Sequence, residues 1–221
     1  MRIKLFVLFV SIFQLGLAQL PKGFVYIHDV DISIKTELRY CSINNFVGNP
    51  INGYNAEVCI ITNQAAEKLK AIQSELKQYN LSLKIYDAYR PQRAVNNFMV
   101  WAKNVNDTIT KQQFYPNVKK KNLFKEEYIA TRSRHSSGST VDLTLVDLIT
   151  NKILDMGTPY DFFGKESWVL YEGITTQQQA NRMLLQTIMK KHGFIPYPKE
   201  WWHFTLAGEP FKNQYFDFPV E

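Results

Sequence analysis

The chain has 221 residues, of which 45% are hydrophobic, 14% aromatic and 21% charged, with a formal charge of +6. So much apolar side chain supports one sizeable core and excludes disorder as the dominant state, while ordinary Gly and Pro usage without an internal period excludes collagen-like, solenoid and propeller architectures. The positive charge is mild, and its one cluster, Lys119-Lys120-Lys121, lacks interleaved aromatics and reads as a solvated loop, so no nucleic-acid partner is expected.

Residues 1–18 read as a secretory signal peptide: Arg2 and Lys4 precede an apolar run from Leu5 that ends in Gly16-Leu17-Ala18, with cleavage expected after Ala18. The run is too short to span a bilayer. The expectation is therefore an exported protein, periplasmic or secreted, with one domain over residues 19–221 and no stable membrane insertion once the leader is gone.

Thr62 to Tyr79 places Ala65, Ala66, Leu69, Ile72 and Leu76 at helical spacing, with Thr62 as N-cap. Leu81 to Tyr86 alternates as a half-buried strand that delivers Asp87 and Arg90, and Pro91 opens a helix through about Lys103. From Asn104 to Glu127 periodicity is poor, which predicts a long surface connection or flap. Thr140 to Val146 alternates again, with Asp142 on the face opposite Val141, Leu143 and Leu145. A last helix starts at Thr175 or Thr176, carries Ala180, Met183, Leu184 and Ile188, and stops at Gly193. A final strand is expected over Trp201 to Leu206. Short strands mixed with two or three helices favour an α+β domain with a mostly antiparallel sheet flanked by helices.

Cys41 and Cys59 form either one disulfide or two free thiols, and neither carries a redox or zinc-knuckle motif. Of the four histidines, His28 beside Asp29 and His192 at a helix end read as surface or structural. His135 with Asp142, and Glu200 with His203, are more suggestive. Two His and one Asp make a three-ligand set for catalytic zinc, and the remaining carboxylate is free to act as base. Taken singly, each of these residues reads better as a loop cap or a strand decoration, and only together do they favour a metal as much. Glu200 and His203 lie three apart and share one ion only if the backbone bends, which Pro196 and Pro198 make reasonable. No G-x-S-x-G, phosphate-loop or dinucleotide-turn motif is present to support another chemistry.

Asp87-Ala88-Tyr89-Arg90-Pro91, Ser133-Arg134-His135 through Gly138 to Asp142-Leu143-Thr144-Leu145, Asp155-Met156-Gly157 and Glu200-Trp201-Trp202-His203 together resemble the D-alanyl-D-alanine dipeptidases of the VanX type, over nearly the whole chain after the leader. The resemblance implies a Hedgehog/D,D-peptidase-like fold and one zinc ion on His135, Asp142 and His203, with Glu200 as catalytic base and Arg90 as transition-state stabiliser. It further implies that Ser133 and Tyr40 bind the dipeptide, and that Asp87 orients Arg90 or helps hold the substrate. The implied activity is hydrolysis of D-Ala-D-Ala in a small closed cavity, and an exported member would serve peptidoglycan fragment turnover. The rivals are a D,D-carboxypeptidase or endopeptidase acting on intact wall peptides, and a non-catalytic zinc-containing protein that binds wall fragments. The oligomeric state stays open.

Overall fold

A computed structural model describes residues 20–221, so the leader reading lies outside the described residues. The strands are β1 (Phe24–Tyr26), β2 (Lys35–Thr36), β3 (Ile60–Thr62), β4 (Leu81–Asp87), β5 (Thr140–Asp147), β6 (Phe194–Pro196) and β7 (His203–Leu206). The helices are the single turn α1 (Ile27–Val30), α2 (Asn63–Lys77), α3 (Gln92–Lys103), the single turn α4 (Lys111–Phe114) and α5 (Thr176–Lys191). A five-stranded sheet runs in the order β2-β4-β5-β7-β6, and β1 pairs with β3 in a separate two-stranded ribbon. Every pairing is antiparallel except that of β2 with β4. The expected α+β class with a mostly antiparallel sheet is what the chain adopts. Among the described residues no helix is long and apolar enough to cross a membrane.

α2 buries Ala65, Ala66, Leu69, Ile72 and Leu76, the stripe that its spacing predicts. Thr62 stands at its N-cap without capping it, because the hydroxyl is engaged with Ser139 Oγ at 2.7 Å. β4 is more buried than its alternation suggests, with both Ser82 and Tyr86 inside. Gln73 on α2 explains Ser82: its amide donates to Ser82 Oγ at 2.9 Å, and its carbonyl accepts from Leu83 N–H at 2.8 Å. That pairing offsets the cost of taking the hydroxyl out of water.

Three expectations are corrected. The stretch from Asn104 to Glu127 is irregular but packed, since Phe114, Tyr115, Val118 and Leu123 are buried. Its lysine run is not uniformly solvated: Lys120 is buried, with Nζ 3.9 Å from the centroid of the Trp101 ring. A long aliphatic stem and a cation over an aromatic face make that burial tolerable. On α5 the inward face is Asn181, Arg182, Leu185, Gln186, Ile188 and Met189, while Ala180, Met183 and Leu184 face solvent. The helix is rotated because Arg182 spends its guanidinium on three carbonyls, those of Met156 (2.6 Å), Trp168 (2.7 Å) and Glu166 (2.8 Å). Of the two starts expected for α5, Thr176 is its first residue and Thr175 its N-cap, closing a capping box with Gln178.

Both cysteines are free thiols, and Cys41 Sγ donates to the Leu38 carbonyl at 2.8 Å. His28 is exposed beside Asp29, and His192 Nε2 lies 3.0 Å from Glu75 Oε2, tying the end of α5 to α2.

Candidate active site

Strand register assembles the site. Residues opposite each other on antiparallel strands put their side chains on the same face. Asp142 in β5 lies opposite His203 in β7, and on its other side opposite Asp87 in β4. The second pairing depends on a bulge: Ile85 pairs with Leu143, and the register then slips so that Asp87, not Tyr86, meets Asp142. One extra residue in β4 thus re-aims Asp87 toward the row that holds Asp142 and His203.

His135 arrives from a 3-10 turn, Arg134–Ser137, which Ser133 caps by accepting the His135 N–H at 3.3 Å. The turn ends at Gly138 with φ +84°, where a Cβ would lie 2.2 Å from Phe24 Cε1, so both conformation and space demand glycine. Beyond it, Phe216 N–H donates to the Ser136 carbonyl, and Phe24 packs among Phe211, Phe216 and Phe218. The His135 turn is therefore wedged between the two ends of the described chain.

The result is a triangle of donor atoms. His135 Nε2 lies 3.2 Å from Asp142 Oδ1 and 3.3 Å from His203 Nδ1, and His203 Nδ1 lies 3.1 Å from Asp142 Oδ1. His135 Nδ1 must donate to the Ala88 carbonyl at 2.7 Å, which leaves Nε2 without a proton. Asp142 Oδ1 is buried and makes no hydrogen bond. A tetrahedral ion with bonds of about 2.0 Å holds its ligand atoms ~3.3 Å apart, so these three residues fit a metal ion of that kind. They are also a His/Asp/His group whose ligand atoms lie within 4.8 Å of one another.

The electrostatics agree. Burial lowers His135 below its ordinary value, with Asp142 opposing. Burial alone would raise Asp142, yet His135 and His203 outweigh it and hold the carboxyl far below the usual range. The bend anticipated at Glu200 is present. A turn runs from Tyr197 to Glu200, strand geometry resumes only at His203, and Glu200 Oε2 comes to 3.4 Å from His203 Nδ1. Burial, then the Asp142 charge, raises the Glu200 carboxyl above its ordinary value, with His203 and Arg90 opposing.

Arg90 is held by Asp87, whose Oδ2 accepts from Nε at 2.8 Å, and its Nη2 reaches to 3.5 Å from Asp142 Oδ2. Asp87 Oδ1 accepts from Tyr54 at 2.7 Å. Asp87 contacts Arg90 and is not among the residues that line the cleft. Tyr40, Arg90, Ser133, His135, Glu200 and His203 all line a single cleft of about 570 Å³. Whereas the resemblance implies a small closed cavity, this cleft reaches exposed Arg132 and Lys212 at its rim.

Three residues of the site were not legible beforehand. Asp161 is buried on the cleft wall with φ +63°, and it accepts from Tyr40 at 2.9 Å. Burial and the nearby Asp142 push its carboxyl well above the usual range. Tyr160 places its hydroxyl 3.1 Å from Asp142 Oδ2, and Tyr54 buttresses Asp87. A lone acid among Tyr160, Phe162 and Phe163 was a signal for Asp161, because carboxylates are rarely buried without a task. Tyr54 and Tyr160 carried no comparable signal.

Residues 21–221 match the peptidase M15 family model, described as D-ala-D-ala dipeptidase. A D-alanyl-D-alanine dipeptidase of Enterococcus faecium is 37% identical over 199 residues, covering 90% of this chain and 98% of the relative. One from Enterococcus faecalis is 35% identical over 91% of this chain and 100% of its own length, and one from Streptomyces coelicolor is 36% identical over 89% and 98%. With a donor triangle fit for a metal, a carboxylate beside it and a match across the described fold, this chain belongs to the M15 D-Ala-D-Ala dipeptidase family of metal-dependent peptidases.

Proposed function

We propose that the protein hydrolyses free D-Ala-D-Ala to two D-alanines with one zinc ion held by His135, Asp142 and His203. The observation that carries this reading is the donor triangle with Glu200 at its edge. Two imidazoles and a carboxylate favour zinc among divalent ions. Bound there, the ion would polarise the scissile carbonyl and lower the pKa of water toward about 7.

The chain's own residues do the rest. Glu200 takes a proton from the attacking water and returns it to the leaving amine, and a carboxyl raised above its ordinary value is better matched to both transfers at neutral pH. Arg90, pre-aimed by Asp87, meets the negative charge that develops on the carbonyl oxygen. Asp161 with Tyr40 receives the substrate's ammonium group, whose charge offsets the cost of ionising a buried carboxyl. Ser133 at the cleft wall supplies a hydroxyl to the dipeptide. The leader at residues 1–18 supports action outside the cytoplasm, in turnover of peptidoglycan fragments.

A second reading has one observation in its favour. The breadth of the cleft and its open rim also suit a D,D-carboxypeptidase that accepts longer wall peptides. Alanine release from free D-Ala-D-Ala and from an N-acylated D-Ala-D-Ala peptide, each with and without chelator, separates the two. Chelator-sensitive cleavage of the free dipeptide alone supports the dipeptidase. Cleavage of the acylated peptide moves the assignment to the carboxypeptidase. If zinc-loaded protein cleaves neither, both readings fail in favour of a wall-fragment binding protein.

A further inference from the structure

We infer that Tyr160 is a positioning residue, which fixes the Asp142 carboxylate for metal binding. The inference rests on the reading of His135, Asp142 and His203 as metal ligands. A carboxylate that turns about its terminal bond can offer either oxygen, so something must decide which one faces the two imidazoles. Oδ1 faces them here, at 3.2 Å from His135 and 3.1 Å from His203. Oδ2 is turned away and accepts from Tyr160 at 3.1 Å, with Arg90 more distant at 3.5 Å. Tyr160 is thus the nearer of the two groups that settle the orientation. A hydrogen bond on the outer oxygen also spares the inner one for the ion.

The ring is held for this purpose. It is buried, stacked on Tyr86 with centroids 4.6 Å apart at 8°, and set edge-on against Trp202 at 5.5 Å. A phenylalanine would fill the same stack, so packing does not account for the hydroxyl. A buried hydroxyl costs free energy unless it is paired, and both oxygens near this one belong to the site. The second is Tyr40 Oη, at 3.1 Å. A tyrosine has one proton to give. With that of Tyr160 on Asp142 and that of Tyr40 on Asp161, the two oxygens meet without a proton between them, so the hydroxyl of Tyr160 is committed to Asp142.

The test compares Tyr160→Phe with Tyr86→Phe and Tyr40→Phe, with thermal unfolding as the check on folding. Zinc affinity is measured by chelator competition, the visible absorption of cobalt-loaded protein reports ligand geometry, and kcat and KM for D-Ala-D-Ala are measured alongside. Tyr160→Phe should bind zinc about tenfold more weakly and shift the cobalt band. Tyr40→Phe should raise KM with zinc affinity intact, and Tyr86→Phe should leave zinc affinity intact. Zinc affinity within twofold of the parent and an unshifted band in Tyr160→Phe overturn the proposal. An equal loss in Tyr86→Phe also does so, because the stack alone would then explain the effect. A parent that binds no zinc overturns it together with the metal reading, whereas a parent that binds zinc but cleaves nothing overturns only the assigned activity.

Discussion

The side of the cleft that carries Asp142 and His203 is set by strand register, and the side that carries Tyr40, Tyr160 and Asp161 hangs on loops and a 3-10 turn. On the first side, neighbouring strands fix the spacing of donors, because cross-strand pairs are held by a ladder of backbone hydrogen bonds. On the second, a left-handed residue at Asp161 and the buried cation of Arg182 take over that task. An ion tolerates little error in ligand position. A flexible dipeptide tolerates more, and its side of the cleft is built from parts that are easier to vary.

If the two sides are separable, damage to one should spare the other. The largest effects belong to the strand side. His203→Ala should lose the metal altogether, read as zinc content after dialysis, whereas Glu200→Gln should keep it and lose turnover by about 10³-fold or more. A metal-replete His203→Ala would break the comparison at its root. On the loop side, Asp161→Asn should raise KM by roughly tenfold and leave zinc content unchanged, since a charge pair with the substrate ammonium is lost. Loss of zinc from that variant would show the two sides to be one unit.

Arg182→Met tests the loop support itself. Three carbonyls, one buried and two partly buried, lose their donor at about 1 kcal/mol each, so the urea midpoint should fall by the equivalent of roughly 2–3 kcal/mol. KM should rise while zinc content holds. The smallest effect concerns Asp155, where the Gln178 side chain and the Gly157 N–H hold the carboxylate below its ordinary 3.8. A lowered folded value contributes stability above 3.8 that is lost as pH falls through it. Asp155→Asn should therefore lower thermal stability slightly at neutral pH, with the difference from the parent vanishing as the pH falls below 3.8.

The same division governs what could be read from the chain alone. His135, Asp142, Glu200 and His203 were legible because metal chemistry uses few residue types, and strand alternation already put Asp142 on the face away from Leu143 and Leu145. The bend that brings Glu200 beside His203 was foreseeable from Pro196 and Pro198. What escaped notice follows from long-range geometry. The slip between Ile85 and Asp87 has no local signature, Arg182 rotates α5 away from its apolar stripe for the sake of three distant carbonyls, and Lys120 lies buried on Trp101 inside a run that looks like solvated charge. Tyr160 and Asp161 needed a folded loop before they had anything to touch.

The wedge behind His135 also sets an order of assembly. Synthesis proceeds from the amino terminus, so His135 and Asp142 emerge well before His203, and the Ser136 carbonyl meets its Phe216 partner later still. Until then the turn that aims His135 lacks its backing, and the nascent chain offers scattered ligands rather than a site. The three donors therefore come together only after His203 has joined β7, and the turn that aims His135 is backed only once Phe216 reaches it.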